Sequence, residues 1–364
     1  MSVSKPAGHL PQLDALRAFA VTFVLIFHWF PQDAWINFLP NGSIGVTLFF
    51  VLSGFLITRI LIQNRNQILA GKTTHSAVYK NFIVRRALRI FPIYYLFITF
   101  VYFVLPHTSD IRQFPAYYYL YGYNILLHQT GNWPDLLSPL WSLSVEEQFY
   151  IVWPTVILLT PRSQLRNMIL FTIIMGLASR ILWALDGNRE GVLTLTCLDS
   201  FGIGALWSYF VVEQPDAIPV FKKQLRWATL LALALFIFML TQPYTSFFRI
   251  YQRTLISVLS LYVIVHASIG FRGIIGRILT HPALLYMGKI SYGMYLYHMA
   301  VSGYLTGWVL TKASRFSPVS LHTPWIHFVS SFVLLMIVAS LSWFFIEKPV
   351  NHLKRFFTYS KSAA

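Results

Sequence analysis

Three ionisable side chains, Asp14, Arg17 and His28, lie in the first long apolar segment of the sequence. On an α-helix, Arg17 and His28 would be about 16 Å apart and within about 20° of the same face. An imidazole can move protons near neutral pH, so His28 is a candidate catalytic residue. The competing interpretation is that Arg17 extends to the lipid headgroups and that His28 is a hydrogen-bonded histidine at the membrane interface.

Two adjacent carboxylates, Glu146 and Glu147, lie near the start of another apolar segment, within Trp141–Tyr150. Glu146 and Tyr150 are four residues apart and share a helix face. We expect one carboxylate to cap the helix N-terminus, where negative charge is favoured. The other, taken to be Glu146, would lie at the depth of His28 and would orient or charge its imidazole.

Three arginines, Arg85, Arg86 and Arg89, precede a third apolar segment. Arg86 and Arg89 would share a helix face, and arginine is well suited to bind phosphate groups. Basic residues that stop translocation or contact anionic lipids would form a similar cluster. The cluster therefore predicts either a site for a phosphorylated ligand or a lipid contact.

Ser291, Tyr295 and His298 would share one face of a later helix, where they are expected to be structural or to line a substrate site. Asp199 is expected to form a structural ion pair with Arg180. The eleven histidines lack ligand spacing and the chain has one cysteine, so no metal site is predicted.

Long apolar segments must position these residues. Of the 364 residues 56% are hydrophobic and 11% are charged, whereas soluble domains are about 25% charged. The sequence predicts an all-α polytopic membrane bundle with ten spanning helices: Leu13–Phe30, Ile44–Ile62, Ile90–Leu105, Trp141–Leu159, Asn167–Leu185, Val192–Val212, Trp227–Thr241, Arg253–Gly270, Leu284–Leu305 and Trp325–Ile346. The aromatic stretch Tyr117–Leu127 is too short to span and is predicted to be interfacial or re-entrant.

The net charge of +16 comes from Lys and Arg residues that lie mostly in alternate gaps between the apolar segments. This is the positive-inside pattern, which argues against a nucleic-acid partner. Both termini are therefore expected in the cytoplasm. Residues 1–12 would form a cytoplasmic segment, residues 13–346 the membrane domain, and residues 347–364 a basic cytoplasmic tail.

Six motifs, taken in order, resemble the acyltransferase-3 family of membrane acyltransferases, which includes bacterial O-antigen acetyltransferases. They are the Arg17-to-His28 spacing, Gly45–Ile57, Arg86 and Arg89 before Pro92, Trp141–Tyr150, Ser291–His298 and Glu347–Pro349. The resemblance implies a bacterial cytoplasmic (inner) membrane protein with membrane lipid around it. It also implies an acyl-CoA donor, with acetyl-CoA as the first candidate. The implied acceptor is a glycan or glycolipid such as O-antigen or another surface polysaccharide.

The resemblance also implies roles for individual residues. His28 would be the catalytic histidine, with Glu146 beside it and Arg17 along the donor path. Arg86 and Arg89 would bind the phosphates of coenzyme A, with Arg85 and Arg17 nearby, and Asp14 and Tyr150 would be structural or line the substrate. Some family members carry an extra helix and a fused extracytoplasmic domain. No segment for either is recognised after the tenth predicted helix, so this membrane domain is expected to act alone or with a separate partner.

Two mechanisms remain open at this point. His28 would either remove a proton from the attacking hydroxyl group or be acylated transiently, with Arg17 or Tyr295 binding the developing oxyanion. A different class of function, a proton-coupled transporter or flippase of a glycolipid or small metabolite, would use the same buried charges as a proton relay. The sequence does not predict the oligomeric state.

Overall fold

The structure is a computed structural model that describes residues 9–133, 136–185, 191–242, 246–316 and 323–359. The side chains of residues 246–249 lie outside that description, and so do parts of the predicted terminal segments 1–12 and 347–364. Within the described ranges every regular element is helical and no strand occurs. The predicted all-α fold is therefore confirmed.

Ten long helices make up most of the described chain, and each overlaps one predicted spanning segment. They are α1 Pro11–Trp29, α2 Asn41–Leu69, α3 His75–Val104, α4 Leu140–Leu159, α5 Leu165–Leu185, α6 Leu198–Glu213, α7 Ile218–Leu240, α8 Ser246–Ile269, α9 Pro282–Ala300 and α10 Pro324–Ser342. Among the described residues, eight of these helices are long and apolar enough to cross a membrane, all except α4 and α9. The protein is a multi-pass integral membrane protein. The predictions of ten spans and of cytoplasmic termini stay predictions.

Helix α3 begins fifteen residues before the predicted boundary at Ile90, at His75. The side chain of Thr74 accepts a hydrogen bond from the backbone N–H of Ala77 (3.2 Å), which caps the helix. The prediction was wrong here because hydropathy detects only the apolar part of a helix. As a result the arginine cluster lies on a regular helix instead of at its mouth.

The aromatic stretch after α3 forms two short helices, Pro115–Tyr119 and Tyr123–Thr130, which are too short to span. They join at Tyr121, a left-handed residue with φ 53°. The hydroxyl group of Tyr94 on α3 donates to the carbonyl of Tyr118 (2.8 Å), and Gln148 on α4 donates to the carbonyl of Tyr121 (2.8 Å). These bonds link α3 to α4.

The first helix packs directly against the backbone of α9. A Cβ atom added at Gly288 would lie 1.9 Å from the carbonyl oxygen of Asp14, a distance that no side chain can adopt. Gly54 on α2 is equally restricted, because its added Cβ would lie 2.1 Å from the carbonyl oxygen of Phe201 on α6. Glycine at both positions lets the helices approach closely, as small residues commonly do in membrane proteins.

Arg180 and Asp199 form the predicted ion pair between α5 and α6. The two guanidinium nitrogens lie 2.8 and 2.6 Å from the carboxylate oxygens, and both side chains are buried. Thr254 on α8 also donates to the Asp199 carboxylate (2.7 Å). The pair is therefore fully hydrogen-bonded, which a buried charge in a bundle requires.

We expect Gly288→Ala to lower the free energy of unfolding by about 1–3 kcal/mol, because α1 and α9 must separate to admit the methyl group. Gly303→Ala is the matched control, since an added Cβ there meets no atom within 4 Å. Thermal unfolding of the two variants in the same detergent measures the difference. Equal midpoints for both variants would contradict the close contact.

Candidate active site

An inner cavity of about 750 Å³ lies among α1, α2, α3, α4 and α9. It includes seven of the predicted site residues, brought together from four separate helices. The polar side chains that line it are Arg17, Ser53, Arg86, Arg89, Ser142, Glu146, Tyr150, Ser291, Tyr292 and Tyr295. Because Arg17 lies near the start of α1, this cavity occupies the half of the bundle predicted to face the cytoplasm.

Arg86 and Arg89 line the inner cavity without donating a hydrogen bond to any residue in the described part of the chain. The guanidinium of Arg86 lies over the rings of Phe82 and Tyr150, at 5.5 and 5.6 Å from their centroids. Arg89 is within electrostatic range of Arg86 and Arg17, which repel it. Positive charges held close together in this way favour a ligand with several negative charges.

Arg17 is held by its own helix. Its guanidinium forms an ion pair with Asp14, and His9 contacts the same carboxylate (2.5 Å). Asp14 is therefore a structural partner that fixes Arg17 at the wall of the inner cavity. About 16 Å of helix separates Arg17 from His28, so Arg17 cannot bind an oxyanion at His28.

Arg85, the third arginine predicted to bind the cofactor, does not line the inner cavity. Its guanidinium donates to the carbonyls of Lys354 (2.8 Å) and Phe357 (3.1 Å) in the C-terminal segment. An arginine directly before another on a helix points about 100° away from it, which explains the difference.

The C-terminal segment adds two charged residues that sequence reasoning had not assigned to the site. Lys354 is within electrostatic range of Arg85, Arg86 and Arg89, and Glu347 is within range of Arg89 and Lys354. Residues 347–359 therefore pack along α3 instead of forming a free tail. The Glu347–Pro349 motif was the available signal for this contact.

Glu146 binds Ser53 instead of His28. The hydroxyl group of Ser53 donates to the Glu146 carboxylate (2.9 Å) and is 3.0 Å from the hydroxyl oxygen of Tyr150. The predicted pairing with His28 was wrong because the two residues lie at different depths. Glu146 is six residues inside α4, about 9 Å along the axis from Leu140, and lines the inner cavity, whereas His28 is one residue from the end of α1 and lines the outer cavity.

The prediction that one of the two carboxylates caps the N-terminus of α4 was also wrong. Glu147 lies a similar distance inside α4 and is buried, with 5% of its surface exposed. One of its carboxylate oxygens has no hydrogen-bond partner in the described part of the chain. Glu147 is thus a second buried carboxyl group, within electrostatic range of Arg86 and Glu146.

An outer cavity of about 1240 Å³ lies around His28, at the other end of α1. Its polar and aromatic lining comprises His28, Ser43, Thr47, Trp133, Ser138, Trp141, Arg180, Gln252, Arg253 and Tyr295. Trp133, Gln252 and Arg253 were not among the residues predicted for a site. Gln252 and Arg253 lie at the start of an apolar segment, a position that does not distinguish functional from interfacial residues, and Trp133 lies in a loop.

His28 contacts His298 of α9, with 5.0 Å between the two ring centroids. One ring nitrogen of His298, Nδ1, lies 2.6 Å from the carbonyl oxygen of Tyr295. Phe27 packs edge-on against His28 at 4.9 Å. The histidine at the outer end of α1 therefore has a second histidine as its neighbour.

The two cavities meet at Tyr295 and Val46, which line both of them. The hydroxyl oxygen of Tyr295 is 2.5 Å from that of Ser142 and 3.2 Å from the carbonyl oxygen of Pro139. Ser291, one turn earlier on α9, donates to the carbonyl of Gly288 (2.9 Å) at the inner-cavity wall. Arginines therefore line one of two adjoining cavities, and an imidazole lines the other.

Comparison with known proteins identifies the family. The family described as "Acyltransferase domain" (acyltransferase-3) matches residues 10–344. A Bacillus subtilis protein provisionally named peptidoglycan O-acetyltransferase YrhL is 29% identical, over 94% of this chain and 55% of that protein. The peptidoglycan O-acetyltransferase OatA of Listeria monocytogenes is 26% identical, over 94% of this chain and 56% of that protein.

A provisionally named O-acetyltransferase of Staphylococcus aureus is 28% identical, over 95% of this chain and 58% of that protein. The chain therefore spans little more than half the length of the curated relatives it matches. No solved structure matches. Because the family match covers nearly the whole chain, this multi-pass membrane protein belongs to the acyltransferase-3 family.

Proposed function

We propose that this protein transfers an acetyl group from cytoplasmic acetyl-CoA to a hydroxyl group of a cell-envelope glycan on the outer side of the bacterial cytoplasmic membrane. The observation that carries the proposal is the pair of cavities that meet at Tyr295. One cavity exposes Arg86 and Arg89, and the other exposes His28. A donor with phosphates at one end and a thioester at the other would match the arginines of the first cavity and the imidazole of the second.

The inner cavity supports the donor assignment through its charge. Arg86 and Arg89 lack hydrogen-bonded partners among the described residues, and Lys354 lies at the same end of α3. Guanidinium groups bind phosphate oxygens with two parallel hydrogen bonds. The phosphates of coenzyme A would therefore bind here, and the pantetheine arm would extend past Tyr295 toward His28.

The chemistry would take place at His28. Its imidazole accepts the proton of the acceptor hydroxyl group while that oxygen attacks the thioester carbonyl carbon. The carbon–sulfur bond then breaks, and the thiolate leaves with the proton as the thiol of coenzyme A. In the two-step alternative, the imidazole nitrogen attacks the thioester carbonyl carbon first, and the carbon–sulfur bond breaks to release the coenzyme A thiolate. The acceptor hydroxyl oxygen then attacks the acetyl-imidazole, the carbon–nitrogen bond breaks, and the hydroxyl proton leaves with the thiolate as the thiol of coenzyme A.

The outer cavity supports a carbohydrate acceptor. Trp133 and Trp141 supply aromatic faces, and Gln252 and Ser43 supply hydrogen-bonding groups, in the cavity that contains His28. Two relatives carry names that describe peptidoglycan O-acetylation. Peptidoglycan is therefore the first acceptor to assay, with O-antigen and other surface polysaccharides next.

We expect His28→Ala to abolish acetyl transfer while leaving the protein folded and able to bind acetyl-CoA, because the base at the reacting atoms is lost. Mass spectrometry of envelope glycans from cells with the wild-type protein, the variant or neither measures the added acetyl mass. His352→Ala is the control, since this histidine is exposed and lines neither cavity. Acetyl transfer by the His28→Ala protein would contradict the proposed mechanism.

Arg86→Gln and Arg89→Gln should each weaken acetyl-CoA binding by at least about tenfold, since each removes a charge-assisted bond to phosphate. Equilibrium binding of acetyl-CoA to the purified protein in nanodiscs measures the change. Arg226→Gln, on α7 and outside both cavities, should bind like the wild type. Unchanged binding in the Arg86 and Arg89 variants would place the donor elsewhere.

A further inference from the structure

The hydrogen bonding of His298 fixes which of its nitrogens carries a hydrogen. Nδ1 lies 2.6 Å from the carbonyl oxygen of Tyr295, and a carbonyl oxygen can only accept. Nδ1 therefore carries the hydrogen, and in the neutral ring Nε2 is an acceptor with a free lone pair. The orientation of this acceptor is set by α9 alone, since Tyr295 and His298 are on the same helix.

That acceptor has no partner among the described residues. His298 is 0% exposed, and Nε2 is buried without a hydrogen bond. Leaving a buried acceptor unsatisfied costs about 1–3 kcal/mol, so such an atom calls for a donor. The unpartnered nitrogen is therefore a feature that packing alone does not explain.

The ring next to it is His28. The ring centroids are 5.0 Å apart, the ring planes are tilted by 50°, and no hydrogen bond joins the rings in this structure. A ring nitrogen lies about 1 Å from its centroid, so a rotation of the His28 ring that turns a nitrogen toward Nε2 would bring the two nitrogens within hydrogen-bond distance. The other ionisable groups around the two rings are Tyr295, on α9, and Arg180 and Arg253, which line the outer cavity. In the described part of the chain no carboxylate contacts either imidazole.

We propose that His298 is the positioning residue for His28, a role that rests on the acetyl-transfer function proposed above. Nε2 of His298 accepts the N–H of His28 and thereby selects the tautomer in which the other nitrogen of His28 is a free base. That nitrogen faces the outer cavity and the acceptor hydroxyl group. When His28 takes the proton, the same hydrogen bond stabilises the imidazolium.

The pair replaces the carboxylate–histidine arrangement that the sequence had suggested. Glu146 is engaged by Ser53 in the inner cavity and does not reach His28. A neutral imidazole orients a second imidazole without adding a charge to the membrane interior, where charge is costly. The acceptor side of the reaction therefore uses two histidines from α1 and α9.

The test compares His298→Leu with His298→Gln, in steady-state acetyl transfer by the purified protein in nanodiscs with a soluble glycan acceptor. We expect Leu, which has no acceptor, to lower kcat at least about tenfold with the KM for acetyl-CoA unchanged. Gln, whose amide oxygen can accept from His28, should recover part of that loss. The acid limb of the kcat profile should move to lower pH in His298→Leu, because the imidazolium has lost its hydrogen-bond acceptor.

His266→Gln is the matched control. His266 makes the same kind of bond, from Nδ1 to the carbonyl of Tyr262 (2.8 Å), but lies on α8 outside both cavities. It should keep the wild-type kcat and pH profile.

Two outcomes would overturn the inference while the wild type remains active. One is a His298→Leu protein with wild-type kcat. The other is equal loss in the Leu and Gln variants with an unmoved acid limb, which would mean a structural role only. A wild-type protein that transfers no acetyl group would instead defeat the proposed function.

Discussion

Contact between helix backbones is the constraint on which both cavities depend. Gly288 lets α9 lie against the Asp14 carbonyl of α1, and Gly45 lets α2 lie against the Ala20 carbonyl of the same helix. Because α1 is in backbone contact with α9 and with α2 at two different levels, the positions of Arg17 and His28 near its opposite ends are fixed. In a bilayer such contacts replace the hydrophobic effect, which cannot drive helices together there.

Burial of charge decides which residues can serve which cavity. The inner cavity brings the guanidinium groups of Arg17, Arg86 and Arg89 together with the carboxyl group of Glu146. At the edge of the outer cavity, the carboxylate of Asp199 binds the guanidinium of Arg180. In the mechanism proposed above, His28 lies in that outer cavity, and its partner His298 adds no carboxylate there.

The sequence was sufficient for the all-α fold, for the approximate place of each long helix and for seven of the residues that line the inner cavity, because hydropathy and helical spacing are local properties. The sequence was not sufficient to predict how deep in the membrane each residue lies. Glu146 and His28 lie at different depths, because Glu146 is six residues inside α4 whereas His28 is one residue from the end of α1. Contacts between distant segments, such as Arg85 with Phe357 or His28 with His298, have no local signature at all.

Tyr295 and Val46 form the wall between the two cavities, so they also determine whether protons can cross the membrane through this protein. Two cavities that approach from opposite faces would join into a pore if this wall were absent, and protons would run down the electrochemical gradient at about 2.3 kcal/mol per charge per 100 mV. The hydroxyl pair of Tyr295 and Ser142 lies at this wall. In the acetyl transfer proposed above, a donor arm that separates these two hydroxyl groups would itself occupy the space between the cavities. Transfer from one side of the membrane to the other would then leave no open path for protons.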